Sequence, residues 1–462
     1  MLERNTLVGR LVNSILDLIG ETPLLRLGKL AAGLDSTVLA KLEFLNPGGS
    51  VKDRVGLSMI LDAEKRGILK PGSVIVEPTS GNTGAGLALA ALLKGYKIIF
   101  TVPDKMSREK VDLLKAFGAK VVITPSNVPA DHPASYVKVA QQIVKETANA
   151  FMPNQYSNPA NPAVHYRTTG PEIWEQTEGK VDILVAGMGT GGTISGSGRY
   201  LKERNPKVRV VGVDPEGSLL RGRFYHKKGK FRSYKTEGIG EDFMPSTLDF
   251  SVIDDVVMVS DKEAFITARR LAQEEGILAG GSSGAAVFAA LRVARERPGK
   301  LIVVILPDTG RNYLNKFYSD DWMTESGYLE STEKRISVKE ILREKSKRIR
   351  KLVSVSPDDK LGSAIGLMKK YDVSHLPVLK HGAQVGSIAE IGVMKKLTSG
   401  DASPDQKIQE LMDDPLPVVR LADKILDPFT LLKQTNAAVV VDKSSIVGII
   451  TTIDVINYLA KR

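Results

Sequence analysis

A lysine stands where a strand gives way to a helix in residues 46–54, which read NPGGSVKDR. The β-rich run TVLAKLEF precedes the segment and the helical pattern VGLSMILDAEKRG follows it. Glycines let the backbone approach a bound group closely, and a helix N-terminus favours anionic groups. Lys52 is therefore a candidate amine for a cofactor aldehyde. Taken alone, the segment fits a surface lysine at a helix start equally well.

Three further loops each lead from an apolar run into a helix. Residues 79–84 (TSGNTG) supply hydroxyls, an amide and backbone N–H groups suited to a carboxylate. Residues 187–193 (GMGTGGT) predict an anion nest for a phosphate. Residues 280–284 (GGSSG) offer a hydroxyl to the same crevice, although Ser282 alone would pass for an N-cap serine.

A dinucleotide site is the competing interpretation of such glycine-rich turns. No acidic residue closes a following strand at the spacing expected for ribose binding, and three such loops share one domain. Both observations argue against a dinucleotide.

The elements that must position these loops alternate between short apolar strands and helices, from Ile15 to about Ser319. This pattern predicts βαβ units and a mostly parallel sheet covered on both faces. Ligands in such folds bind at the carboxyl ends of the strands, which is where the four loops lie.

The composition of the sequence changes after Trp322. Residues 326–350 are polar and highly charged, and they predict a linker that contains a short helix (KEILREKSKRI). Beyond it lies a weak repeat in which Gly386 aligns with Gly448, each copy running strand, helix, strand, turn, strand, helix. A repeat this small is expected to stack on its twin and bury a shared face.

Composition limits the classes of function. The 462 residues contain no cysteine, which excludes disulfides, thiolate metal sites and a cysteine nucleophile. No apolar run is long enough to span a bilayer, and the N-terminal residues lack the features of a signal peptide, so a cytoplasmic enzyme without a membrane partner is the default expectation. The net charge of +11 comes with no nucleic-acid-binding motif, so a nucleic-acid partner is not expected.

Together these segments resemble the fold-type II pyridoxal-phosphate enzymes, whose fold is that of the tryptophan synthase β subunit, and among them the cystathionine β-synthases and cysteine synthases. The resemblance covers about residues 10–325. It implies an α/β catalytic domain over residues 1–325 and a linker over 326–350. The repeats resemble an α+β tandem CBS (Bateman) module over residues 351–462.

The resemblance also implies roles for individual residues, with pyridoxal 5′-phosphate as the cofactor. Lys52 would be the Schiff-base lysine and general base, Asn82 the partner of the cofactor's 3′ oxygen, and Ser282 the residue facing the pyridine nitrogen. The expected phosphate cradle is Gly189, Thr190, Gly191, Gly192 and Thr193. The expected ligands of the substrate carboxylate are Thr79, Ser80, Asn82, Thr83 and Gln155.

The amino-acid sequences of several segments resemble those of cystathionine β-synthases more than those of cysteine synthases. This resemblance implies serine and homocysteine as substrates. These segments include YRTTGPEIW, EGIGEDFMP and LPDTGRNYLNKFYSDDWM. Glu241 occupies a place where eukaryotic members commonly have tyrosine, which leaves the homocysteine pocket open, whereas Tyr156 is retained and is expected to contribute there. Residues 1–14 are short and free of cysteine, so no haem is expected.

The second repeat keeps the pattern GIITTID, in which Asp454 would grip the ribose hydroxyls of an adenosyl ligand and Thr451 would add a contact. The first repeat reads GSIAEIG and lacks the acidic residue, so one competent site is expected. S-adenosylmethionine, ATP and AMP all fit this pattern. The alternative is a purely structural dimerisation module.

Two other functions compete with the synthesis of cystathionine. One is a cysteine synthase that uses O-acetylserine or serine, and the other is an adenosyl-ligand sensor with an inactive catalytic domain. In each case a homodimer or higher homo-oligomer is expected.

Overall fold

The computed structural model describes residues 11–79, 81–104, 108–129, 132–329, 336–346, 352–425, 432, 435–443 and 445–460. It divides into two compact units, Met1–Leu329 and Glu330–Arg462. The first unit contains the four loops singled out above, and the second contains both repeats.

The first unit alternates strands and helices as the sequence predicts. Among its described residues the strands are β1 (Leu24–Arg26), β2 (Thr37–Leu42), β3 (Val74–Glu77), β4 (Lys97–Pro103), β5 (Lys120–Thr124), β6 (Ala150–Phe151), β7 (Ile183–Gly187), β8 (Arg209–Pro215), β9 (Asp255–Val259) and β10 (Leu301–Leu306). The helices are α1 (Lys52–Lys65), α2 (Asn82–Leu93), α3 (Arg108–Ala116), α4 (Tyr136–Glu146), α5 (Ala160–Arg167), α6 (Thr169–Gln176), α7 (Gly192–Arg204), α8 (Leu220–Phe224), α9 (Asp261–Glu275), α10 (Gly281–Glu296) and α11 (Asp320–Glu325).

These strands form two sheets rather than the one mostly parallel sheet that the sequence predicted. Within the described residues, one sheet has the order β1-β2-β10-β7-β8-β9 and the other has the order β5-β4-β3-β6. Only β1 runs antiparallel to its neighbour in these two sheets, and the other described pairings are parallel. Strands β7 and β10, at the middle of the larger sheet, are apolar throughout because helices cover both of their faces.

Close packing of α1 on α2 fixes the start of both helices. A Cβ atom at Gly56 would lie 2.5 Å from the carbonyl carbon of Gly86, and one at Gly86 would lie 2.4 Å from the carbonyl oxygen of Lys52. The two backbones are therefore in direct contact, which only glycine allows. As a result Lys52 is held next to the second helix.

The second unit contains the two repeats. Its described elements are β11 (Ile336–Ser337), α12 (Val338–Ser346), α13 (Leu361–Tyr371), β12 (His375–Lys380), β13 (Ala383–Ala389), α14 (Glu390–Thr398), β14 (Val418–Arg420), β15 (Lys424–Ile425), β16 (Ala437–Asp442), β17 (Ser445–Thr451) and α15 (Thr452–Leu459). The first helix expected in the second copy lies almost wholly outside the described residues.

Both repeats contain an antiparallel hairpin with a register shift at the same place. The shift follows Val378, which pairs with Gly386, in the first repeat and Val440, which pairs with Gly448, in the second. The structure therefore aligns the two glycines as the sequence comparison did.

A segment that the sequence assigned to the linker completes the second repeat. The predicted helix is present as α12, and its residues Val338 and Ile341 are buried in one core with Val440 and Ile450. Leu342 fills the space above Gly448, where a Cβ atom would lie 2.5 Å from its Cδ1. Residues 336–346 are thus a structural part of the second unit rather than a solvated connection.

No helix among the described residues is long and apolar enough to cross a membrane.

Candidate active site

The loop that carries Lys52 is fixed at both ends. The backbone N–H of Val51 donates to the carbonyl of Pro307 at 2.8 Å, and that of Thr309 donates to the carbonyl of Gly49 at 3.1 Å. Gly49 has a φ of +83°, which favours glycine. Since Lys52 is the first residue of α1, its side chain starts from a rigid junction between a loop and a helix.

Burial lowers the pKa of the Lys52 amine, and the negative charges of Asp308 and Glu241 oppose part of that effect. A lowered pKa increases the fraction of neutral amine, which is the form that condenses with an aldehyde. Both acids therefore belong to the surroundings of the candidate lysine.

The start of α2 brings together several residues that were expected to bind a substrate carboxylate. The Thr83 hydroxyl donates to Gln155 Oε1 at 2.5 Å, and Thr79 is buried in the loop that precedes the helix. Asn82 Nδ2 donates to Asp308 Oδ2 at 2.9 Å. Ser80, which was assigned to the same role, lies outside the described residues.

Glu77 supports this group, although it was not singled out from the sequence. Its carboxylate accepts hydrogen bonds from the backbone N–H of Asn154 at 2.9 Å and of Gln155 at 3.2 Å. Burial raises the pKa of Glu77 to about 7. The position of Glu77 as the last residue of strand β3 was the available signal, because side chains at the carboxyl end of a parallel strand face the ligand crevice.

The glycine-rich loop before α7 has no room for a side chain at its glycine positions. Gly191 has a φ of +83°, and a Cβ atom at Gly192 would lie 1.9 Å from Asn161 Oδ1. A Cβ atom at Gly189 would lie 2.5 Å from the carbonyl oxygen of Gly238. The first N–H groups of a helix have no intrahelical acceptor, so this cradle fits a phosphate.

Two polar side chains that the sequence analysis missed hold the cradle. Asn161 Nδ2 donates to Thr190 Oγ1 at 3.0 Å, and the Thr247 hydroxyl donates to the carbonyl of Thr190 at 2.6 Å. The hydroxyl of Thr193 is 3.2 Å from Nε2 of the buried His165. No sequence spacing indicated these partners, because they come from other segments of the chain.

Ser282 lies in the first turn of α10 and is 4% exposed. A Cβ atom at Gly238 would lie 4.0 Å from its hydroxyl oxygen, so the loop EGIGEDF passes directly beside it. The backbone N–H of Gly240 in that loop donates to the carbonyl of Met188 at 2.6 Å. The structure therefore brings the Ser282 loop and the phosphate cradle together.

Glu241 and Tyr156 form a pair at the same crevice. They share a side-chain hydrogen bond, and burial raises the pKa of Glu241 to about 7. The Tyr156 ring packs edge-on against Phe243 with 5.1 Å between the ring centroids. The carbonyl of Tyr156 also accepts a hydrogen bond from the backbone N–H of Thr247 at 3.3 Å.

The arrangement joins an amine of lowered pKa, a glycine-rich cradle at a helix N-terminus, a buried hydroxyl and a group of polar side chains at the start of α2. These groups match an aldehyde, a phosphate, a ring nitrogen and an amino-acid carboxylate. Fold and site together define a pyridoxal-phosphate-dependent enzyme.

Comparison with known proteins agrees with this class. Residues 15–308 match the family model described as pyridoxal-phosphate dependent enzyme, and residues 338–398 and 408–461 match the CBS domain. The cystathionine β-synthase of Dictyostelium discoideum is 40% identical over an alignment of 464 positions that covers 98% of this chain and 93% of that protein. The enzyme of the same name from Saccharomyces cerevisiae is 37% identical over an alignment of 496 positions that covers 97% of this chain and 98% of that protein.

A solved structure is also similar. The O-acetylserine dependent cystathionine β-synthase from Helicobacter pylori has 40% sequence identity and a TM-score of 0.61, and the match covers 66% of this chain and 98% of that one. The chain belongs to the cystathionine β-synthase family, whose members are pyridoxal-phosphate-dependent lyases. The predicted fold class, a fold-type II domain with tandem CBS domains, is confirmed.

The residues expected to hold an adenosyl ligand lie at the junction of β17 and α15. Asp454 Oδ2 accepts hydrogen bonds from the backbone N–H of Thr451 at 2.8 Å and from its hydroxyl at 2.6 Å. Lys345 Nζ donates to the same oxygen at 2.7 Å. In the first repeat the equivalent positions are Ala389 and Gly392, whose side chains offer no hydrogen-bonding group.

Proposed function

We propose that this chain condenses L-serine with L-homocysteine to give L-cystathionine and water. Relatives named cystathionine β-synthase that match over almost their whole length support this reaction. In it Lys52 removes the Cα proton of serine as general base, while Thr79, Thr83 and Gln155 orient the substrate carboxylate. Pyridoxal phosphate, when bound, spreads the resulting negative charge over its ring.

The observation that carries the choice of homocysteine over sulfide is the position of Glu241. Its carboxyl interacts with both Tyr156 and Lys52, and so it faces the crevice in which the thiol must arrive. A carboxylate attracts the ammonium group of homocysteine and repels hydrosulfide, which is an anion. Because the pKa of Glu241 is raised to about 7, this preference is present above that pH and is lost below it as the carboxyl becomes protonated.

The variant Glu241→Gln tests this proposal because it keeps the shape of the side chain and removes the charge. Initial rates with serine as donor give the ratio of kcat/KM for homocysteine to that for sulfide. We expect the variant to lower this ratio about tenfold above pH 7, since one charge-assisted hydrogen bond is lost. The pH dependence that comes from ionisation of homocysteine and sulfide is the same for both enzymes. It therefore cancels when the parent's ratio of kcat/KM values is divided by the variant's ratio.

That quotient should rise as the pH increases through about 7. A quotient that is flat with pH would contradict the role of Glu241. Tyr156→Phe is the companion variant: it removes a hydrogen bond that lowers the pKa of Glu241, so the carboxylate charge remains but forms at a higher pH. It should keep most of the preference for homocysteine.

A second candidate donor is O-acetylserine, which is favoured by the similarity to the O-acetylserine dependent enzyme from Helicobacter pylori. Serine and O-acetylserine should be compared with homocysteine as the common acceptor. Turnover of serine at a rate similar to that of O-acetylserine supports the proposal. Consumption of O-acetylserine alone would replace it with the second candidate.

We also propose that S-adenosylmethionine binds the second repeat and changes catalytic activity or thermal stability. The support is Asp454 in the first turn of α15, whose equivalent in the first repeat is Gly392. A ligand that prefers one arrangement of the module shifts its population by the difference in affinity. Calorimetry with S-adenosylmethionine, ATP and AMP distinguishes the ligands.

A further inference from the structure

Asp308 connects loops that were each singled out for a different role. It directly follows Pro307 after strand β10, and its backbone forms a bridge with Ser50 in the Lys52 loop. On its other side, the carbonyl of Asp308 accepts a hydrogen bond from the backbone N–H of Gly280 at 3.0 Å. The backbone at Asp308 therefore joins the Lys52 loop to the Ser282 loop.

The side chain of Asp308 reaches a third loop. The residue is 2% exposed, and Oδ2 accepts hydrogen bonds from Asn82 Nδ2 at 2.9 Å and from the Tyr313 hydroxyl at 2.7 Å. A Cβ atom at Gly280 would lie 2.0 Å from Asp308 Oδ1, so the absence of a side chain there makes room for the carboxyl. This geometry gives the carboxyl one orientation.

Asn82 depends on that orientation. An amide nitrogen carries two hydrogens, and the hydrogen bond to Asp308 uses one of them. The bond also determines which end of the amide is the donor and fixes the plane in which the second N–H lies. The second N–H of Asn82 is therefore held in a fixed plane, from which it can donate to a neighbouring acceptor.

The charge of Asp308 acts on a second member of the site. Burial lowers the pKa of the Lys52 amine, and the charge of Asp308 is the largest of the electrostatic effects that raise it. Tyr313 remains a neutral donor, because burial and the adjacent Asp308 raise the pKa of its hydroxyl well above the ordinary value. One buried carboxylate thus faces both Asn82 and Lys52.

We propose that Asp308 is a positioning residue for the cofactor, which aims the Asn82 amide at the 3′ oxygen and supplies the negative charge opposite Lys52. This inference rests on the roles proposed for Asn82 and Lys52, and it does not depend on which donor or acceptor the enzyme uses. A merely structural Asp308 would stabilise the fold without influencing the electronic state of the bound cofactor.

The test uses the visible absorption of the full-length enzyme loaded with pyridoxal phosphate, in the absence of substrates. Asp308→Asn keeps the size of the side chain and removes the charge, and Tyr313→Phe removes one hydrogen bond to the carboxyl. Asn82→Ala serves as the reference for loss of the direct contact. The matched control is Asp182→Asn, because Asp182 accepts a hydrogen bond from the backbone of Leu301 at the opposite end of β10.

We expect Asp308→Asn to move part of the visible band to the near ultraviolet in the direction that Asn82→Ala does, and Tyr313→Phe to do so to a smaller extent. The cofactor should also bind about tenfold more weakly to Asp308→Asn, since a charge-assisted hydrogen bond is lost. Asp182→Asn should keep the parental spectrum.

Parental spectra for both Asp308→Asn and Tyr313→Phe would overturn the proposal. If Asp308→Asn does not fold, the spectrum of Tyr313→Phe decides the question. Because no substrate is present, a failure of the proposed reaction leaves this result unaffected, and a parental spectrum in these variants leaves the proposed reaction untouched.

Discussion

The crevice around Lys52 and the start of α15 are both built around a carboxylate, but the two carboxylates differ in burial and in the origin of their partners. Asp308 is 2% exposed, and its partner Asn82 is 226 residues away in the sequence. The Asp454 side chain is 14% exposed, and two of its hydrogen bonds come from Thr451, three residues away.

The difference shows which site is preorganised. A buried carboxylate with long-range partners cannot change them without disturbing the core, so the crevice has one arrangement. At the partly exposed Asp454, a ligand hydroxyl can replace the ammonium group of Lys345 with little loss of burial. We therefore expect substitutions in the crevice to change chemistry strongly, and substitutions at Asp454 to change only ligand binding.

The largest effect should come from Lys52→Ala. This variant removes both the amine that holds the cofactor and the general base, so turnover should fall by at least about 10³-fold. The fold should remain, because Lys52 is at the first position of its helix. Steady-state rates, absorption spectra and thermal unfolding measure these effects. An unchanged visible spectrum would show that another lysine holds the cofactor.

A smaller effect is expected from Ser282→Asp. A carboxylate facing the ring nitrogen favours its protonation, which should stabilise the deprotonated substrate and slow departure of the β-substituent, by about tenfold if the added interaction resembles a charge-assisted hydrogen bond. Stopped-flow absorption after mixing with serine follows the slower step. Ser283→Ala is the matched control, because Ser283 is the buried neighbour in the same helix turn. Intermediate spectra and rates equal to those of the parent would remove Ser282 from the cofactor site.

The smallest effect should come from Asp454→Ala, which leaves basal catalysis intact. In the parent, S-adenosylmethionine at a hundredfold excess over Kd should raise the free energy of unfolding by about 2.7 kcal/mol. Asp454→Ala should abolish this increase, because the expected ribose anchor is gone. Differential scanning calorimetry with and without the ligand measures the change.

The variant Lys345→Ala sharpens the same test. It removes the ion pair with Asp454 and leaves the hydrogen bonds between Asp454 and Thr451 in place, so stabilisation by the ligand should persist. Loss of stabilisation in both variants would indicate that the ion pair, rather than a ligand contact, supports the module. Equal binding by Asp454→Ala and the parent would contradict the proposed site.

The sequence predicted the local units of the catalytic domain because each is encoded within a few residues. A strand, a glycine-rich turn and a helix start are recognisable around Lys52, and the same holds for Gly191, whose positive φ favours glycine. The repeat was visible for the same reason, since the pairing of Gly386 and Gly448 lies within short hairpins. The absence of side-chain acceptors at Ala389 and Gly392, the equivalents of Thr451 and Asp454, was equally visible in the sequence.

Only the tertiary structure decided which distant segments meet. Three features depend on contacts between remote parts of the chain. The strands divide into two sheets, α12 packs in the core of the second repeat, and the side chains of Asn82 and Tyr313 both donate to Asp308. Strand order is not encoded in the residues of any one strand, because every buried parallel strand presents the same apolar run. For that reason the sequence identified the loops of the crevice, and the fold supplied the carboxylate that joins them.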